Sequence, residues 1–123
     1  VVIDAREASR QAAVEVLVSN GSTALGFASI EDARSTLRER SPRMVLVAAH
    51  GDLATLSALL RASLPTRDTS LVLVVPSGDS DRARAEIVEG HFDAWTLEPL
   101  RRSRARLLRR ASEPPAPSGE SIR

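Results

Sequence analysis

Short, almost wholly apolar runs alternate along this chain with longer stretches of helical periodicity. The runs are Val1–Ile3, Thr23–Phe27, Met44–Ala49, Leu71–Val75 and Ala94–Leu97. A strand that is apolar at nearly every position must be covered on both faces, and that is the condition of a parallel sheet flanked by helices. Strands that alternate with helices are joined by crossovers, which restricts the chain to an α/β architecture. The expectation is a three-layer, doubly wound, five-stranded parallel sheet. At 123 residues it forms one domain, able to bury roughly two thirds of the surface its unfolded chain exposes.

The local punctuation agrees with this rhythm. Ala8–Ser19 is a good helix former and Asn20-Gly21 stops it. Ser29, with Asp32 three residues on, resembles a capping box that opens a helix running to about Arg40, before Pro42. A third helix spans Leu53–Ser63 and ends ahead of Pro65. After the turn Pro76-Ser77-Gly78, Asp79 and Asp81 favour the start of a fourth helix that ends at Gly90. Leu100–Ala111 reads as a last helix, with Leu100, Arg104, Leu107, Leu108 and Ala111 on one stripe. Residues 112–123 carry three prolines, a glycine and three serines, the composition of an interdomain linker. The domain is therefore placed at residues 1–111, in a piece of a larger protein.

Composition removes several chemistries. All 17 basic residues are arginine, and the chain has no lysine and no cysteine. Schiff-base and P-loop chemistry lack their lysine, and thiol catalysis, disulfides and thiolate metal sites lack their sulfur. No apolar run is long enough to span a membrane and no signal peptide is present, so a cytoplasmic location is expected. Residues 1–100 hold 10 Arg and 14 acidic residues (−4), whereas residues 101–123 hold 7 Arg and 2 acidic residues (+5). A basic end of this kind suits an anionic ligand or a partner with an acidic face, or is a solvated helix surface.

In doubly wound sheets the functional crevice lies beyond the C-terminal ends of the strands. Here that crevice is chemically thin: Asp4 is the carboxylate that directly follows an inner strand, and Ala5, Ala48 and Ala49 add nothing. An open oxygen site for a divalent cation asks for more than one carboxylate. Asp52 is nearby, but in a helix-capping position.

Taken in order, VVID (1–4), ASIEDARSTLRERSPRMVLVAA (28–49), Gly90 and WTLEP (95–99) resemble the receiver domain of bacterial two-component response regulators. The loop after the third strand is shorter, and about one residue is inserted between Gly90 and Trp95. The resemblance implies receiver, flavodoxin-like topology. It also implies five catalytic elements: an acidic pair for magnesium, a phosphoacceptor aspartate, a Ser/Thr and a lysine. At those positions stand Asp4 followed by Ala5, Ala48 or Ala49, Val75 and Glu98. Four of the five are lost, so the resemblance is to a degenerate, non-catalytic pseudo-receiver that needs no cofactor and holds no metal.

The resemblance further implies a docking face on the fourth helix, fifth strand and fifth helix, with Trp95 at the family's aromatic switch position. Leu97 and Pro99 alternate with Trp95, Arg82 and Arg84 lie on the fourth helix, and Arg101, Arg102 and Arg104 open the fifth. The arginines are thus expected to gather around Trp95 and away from the old active site. The expected partners are neighbouring domains of the same protein, such as the kinase core of a hybrid histidine kinase or a following receiver. Because some receiver-like domains bind cyclic di-GMP with arginines, that ligand is the alternative at the same face. Nucleic acid is disfavoured, as neither a helix-turn-helix pattern nor an aromatic row accompanies the basic helix. His50 and His91 are 41 residues apart, and neither has an acidic or His neighbour at i+3 or i+4 in metal-pair fashion. His50 lacks the orienting carboxylate of a general base, and Ser77-Gly78-Asp79-Ser80 is a turn and cap, too poor in glycine to cradle phosphate.

Overall fold

A computed structural model describes residues 1–65, 68–76, 78–98 and 100–101. Among them the elements are β1 (Val2–Ile3), α1 (Glu7–Ser19), β2 (Gly26–Phe27), α2 (Ile30–Arg40), β3 (Met44–Ala48), α3 (Leu53–Ser63), β4 (Ser70–Val75), α4 (Ser80–Val88) and β5 (Ala94–Leu97). The strands form one sheet in the order β2-β1-β3-β4-β5, and every pairing is parallel. This is the flavodoxin-like doubly wound order, with its switch point between β1 and β3. The anticipated fold class is therefore the observed one. Leu100 and Arg101 have no regular structure; the rest of the expected last helix and the expected linker lie outside the described residues.

The register sorts side chains into rows that run across the sheet. Phe27, Ile3, Val47, Leu73 and Trp95 are successive partners. They face the layer of α2, α3 and α4, where Leu37 of α2, Leu60 of α3 and Ala83 of α4 are fully buried. The neighbouring row, Gly26, Val2, Leu46, Val72 and Ala94, packs with Leu17 of α1 and with Leu100. Full burial of one such side chain stabilises the fold by about 1.5–3 kcal/mol, so the two-sided apolar strands are what hold the layers together. Among the described residues, no buried side-chain nitrogen or oxygen lacks a partner.

β2 is shorter than the expected Thr23–Phe27. Pairing with β1 starts where the Leu25 carbonyl accepts from the Val2 amide (2.8 Å), and only Gly26 and Phe27 join the ladder. Helix α1 lies tightly over this edge: a Cβ on Gly26 would sit 2.9 Å from Arg10 Cγ and 3.2 Å from Val14 Cγ2. Glycine in this strand marks that close approach. Ser29 caps α2 as expected, its hydroxyl accepting from the Asp32 amide at 3.2 Å. Asp52 caps α3 by accepting from the Ala54 amide (3.1 Å) and the Thr55 hydroxyl (2.8 Å). Those hydrogen bonds, the Thr55 one foremost, hold the Asp52 carboxyl below its ordinary pKa. Asp79 occupies the N-cap position of α4 but makes no side-chain cap bond, so its carboxylate acts on the helix through charge alone.

Candidate functional site

The ladder extends one residue past several strands and so fixes the backbone of the crevice. The Asp4 amide donates to the Phe27 carbonyl (3.0 Å), the Ala49 amide to Val74 (2.8 Å) and the Glu98 amide to Val75 (2.9 Å). Because Ile3 pairs with Val47, Asp4 follows into register with Ala48, and Ala48 pairs with Val74. The nearly buried Asp4 lines the same cavities as Ala48, whose methyl offers no oxygen. Ala48 also ends β3 and lines cavities on both sides of the sheet edge.

One cavity of about 690 Å³ is lined by Asp4, Ala5, Ala48, Ala49, His50 and Glu98 together with apolar side chains of α2 and α3. Another, of about 320 Å³, shares Asp4, Ala48 and Glu98 with it and opens towards α1. The carboxylates here are already engaged. Arg6 Nη2 donates to Glu98 Oε1, Arg6 Nε lies 3.5 Å from Asp4 Oδ1, and the Arg6 amide donates to that same oxygen at 2.9 Å. Arg10 Nη1 adds a 2.9 Å bond to the Asp4 carbonyl. The Glu98 hydrogen bond, followed by the charges of Asp4 and Glu98, raises the Arg6 pKa further above its ordinary value. Arg6 therefore joins the end of β1 to the end of β5 across two intervening strands. The expectation that the arginines gather away from this crevice is corrected: a guanidinium stands in it as a resident cation. His50 is exposed at the rim.

Trp95 is half-buried against the α2–α4 layer, and the Arg84 guanidinium carbon sits 5.9 Å from its ring centroid, in cation–π range. Leu97, two residues on, is 40% exposed, and Val88 at the end of α4 is 86% exposed. Sequence reasoning passed over Val88 because a lone valine late in a helix carries no motif. Arg82 departs from expectation. It reaches the β3–α3 loop and donates to the Gly51 carbonyl at 2.7 Å, so it ties α4 to that loop. Arg101 is exposed. Pro99, Arg102 and Arg104 lie outside the described residues.

His91 differs most from the sequence reading. Its Nδ1 is 2.5 Å from Glu86 Oε2 and 3.5 Å from Glu89 Oε2. The hydrogen bond to Glu86 and the flanking carboxylate charges raise its pKa above the ordinary 6.5. Templates of i+3 and i+4 spacing miss this cluster because the helix has already ended. The Gly90 amide bonds to the Ile87 carbonyl and the His91 amide to the Glu86 carbonyl, each at 3.0 Å. With Gly90 at φ 81°, this is a Schellman closure, which folds the residue after the glycine back over the last turn.

No family model matches the chain, and no curated protein matches it. Solved structures do match. NtrX from Brucella abortus, determined in complex with ADP, superimposes with a TM-score of 0.74 at 19% identity over 90% of this chain. The match spans only 25% of NtrX. A response regulator from Thermotoga maritima gives 0.70 at 21% identity, covering 89% of this chain and 90% of that one. A CpaE2 pilus assembly protein from Sinorhizobium meliloti 1021 gives 0.61 at 17% identity, with 89% and 95% covered. The fold is that of response regulator receivers. No helix among the described residues is long and apolar enough to cross a membrane.

Proposed function

We propose that this chain is a pseudo-receiver: a regulatory docking module of a bacterial two-component signalling protein, such as a hybrid histidine kinase, that works without phosphorylation. The observation that carries this reading is the end of β3, where Ala48 closes the strand and Ala49 follows it, so that neither candidate for the phosphoacceptor position brings a side-chain oxygen to the cavity that both line with Asp4. Ala5, Val75 and Glu98 take the other family positions, and Arg6 pairs with both Asp4 and Glu98 from within the chain, offsetting part of their charge. Phosphoryl transfer depends on positioned charge compensation by a metal ion and a lysine, and neither role has its side chains here. Magnesium would have to be held by Asp4 with no second free carboxylate beside it.

What remains is the Trp95 face. A half-buried indole under Arg84, with the exposed Leu97 two residues along the same strand, has the aromatic, arginine and aliphatic content of a docking centre. Its occupant on this reading is a neighbouring domain of the same protein, such as a kinase core or a second receiver. In the full-length protein, Trp95→Ala combined with Arg101→Ala should change kinase or output activity, as should shortening residues 114–123. Unchanged output in both would remove the docking proposal.

A second reading rests on the Arg84–Trp95 pair, which has the chemistry of a base-stacking, anion-pairing site for cyclic di-GMP. Calorimetry with that dinucleotide separates the two. Binding that Trp95→Ala abolishes would favour the second-messenger reading, and no heat at high micromolar ligand would end it.

A further inference from the structure

We infer that Glu86, Glu89 and His91 form a binding site for a borderline divalent cation of the zinc class, at the C-terminal end of α4 and separate from the crevice. Imidazole Nδ1 and one oxygen from each carboxylate all lie within 4.8 Å of one another. One ion can therefore touch all three with small rotamer changes, at the roughly 2.0–2.2 Å that zinc–nitrogen and zinc–carboxylate bonds require. Three protein ligands leave a fourth position for water or a partner's side chain.

The imidazole distinguishes this cluster from an ordinary acidic surface. Carboxylates alone suit hard ions such as magnesium, which accept oxygen donors and keep their waters, whereas an added nitrogen donor selects zinc, cobalt or nickel. Cluster charge points the same way. His91 Nδ1 lies 2.5 Å from a Glu86 oxygen and 3.5 Å from a Glu89 oxygen, so two carboxylates converge on one imidazole and leave a local excess of negative charge. A divalent ion would offset that excess where a proton does so only in part.

The site is also held in place. Both amides of the Schellman turn bond back into α4. The Ser57 hydroxyl of α3 donates to the His91 carbonyl, so a neighbouring helix pins the ligand-bearing backbone. Phe92, the next residue, is buried in the core. Glu86 and His91 are half-buried while Glu89 is exposed, which leaves the cluster a route to solvent. Fixing ligand orientation before the ion arrives is how surrounding structure raises metal affinity.

The test is titration of the 123-residue chain with Zn²⁺ by calorimetry, with Co²⁺ absorption as an independent report of coordination. One equivalent of Zn²⁺ should bind with a dissociation constant below about 100 μM, and Co²⁺ should develop visible d–d bands, as a nitrogen–oxygen site of low coordination number would. His91→Gln and Glu89→Gln should each weaken binding at least about tenfold. His50→Gln should leave it unchanged. Glu89 is exposed, so its variant keeps the fold and the result is readable even if His91→Gln is destabilised. Absence of Zn²⁺ binding at 100 μM would overturn the proposal. So would binding that survives both His91→Gln and Glu89→Gln, or equal affinity for Mg²⁺.

Discussion

Arg6 is the residue whose role was least legible before folding. It follows Asp4 by two positions, which hints at nothing, and its second partner, Glu98, lies 92 positions away. Only the all-parallel pairing of the sheet brings the C-terminal ends of β1 and β5 to the same edge. That Ala5, Ala48 and Ala49 bring no carboxylate to the crevice could be read from residue types alone, since an alanine needs no geometry to be inert. The cation that fills the gap could not. Arg6 is more than half exposed, so its ion pairs are screened. Arg6→Ala should lower stability by only about 0–1 kcal/mol in urea unfolding, with the difference shrinking at high salt. A loss of several kcal/mol would mean that the strap is structural in its own right.

His91 allows a second prediction at this scale. Its folded pKa is raised by Glu86, so its contribution to stability is fully present below the unfolded value near 6.5. That contribution is lost as pH rises through the higher folded value. Urea midpoints measured in chelator should therefore fall as pH rises above the ordinary histidine value, and His91→Gln should flatten that fall. An identical slope in the variant would show that other groups set it.

Among the elements, those with both a periodic pattern and a stop residue could be placed from sequence. α3 and β5 occur at the anticipated boundaries, Leu53–Ser63 and Ala94–Leu97, because Asp52, Pro65 and the apolar run each act locally. β2 could not: only Gly26 and Phe27 pair with β1, and both that pairing and the passage of α1 over Gly26 are tertiary matters. The Schellman closure of α4 was half legible. Gly90 marked the end, but the return of His91 over Glu86 is a consequence of the αL turn that motif scanning does not register. The caps and rows make energetic predictions. Ser29→Ala should cost about 1 kcal/mol by removing the bond to the Asp32 amide. Leu73→Ala, at the centre of the row that ends in Trp95, should cost about 2–5 kcal/mol. Thermal or denaturant unfolding checks both, and a reversed order would contradict the assigned core.

For the whole molecule, the fold rests on two-sided burial of five parallel strands, and the proposed function on what their C-terminal edge lacks. Charge has been rearranged within that frame. Active chemistry would need carboxylates free to hold a cation, but here Asp4 and Glu98 are spent on Arg6, while Arg84 covers Trp95 on the other side of β5's end. The result is a receiver fold in which one guanidinium bridges the two carboxylates at the C-terminal edge of the sheet and another lies over the indole of β5. The most direct test is incubation of the chain with acetyl phosphate and Mg²⁺, followed by intact mass and by Trp95 fluorescence. The account predicts no phosphoryl adduct and no emission change. A magnesium-dependent adduct on Asp4 or Asp52 would contradict it.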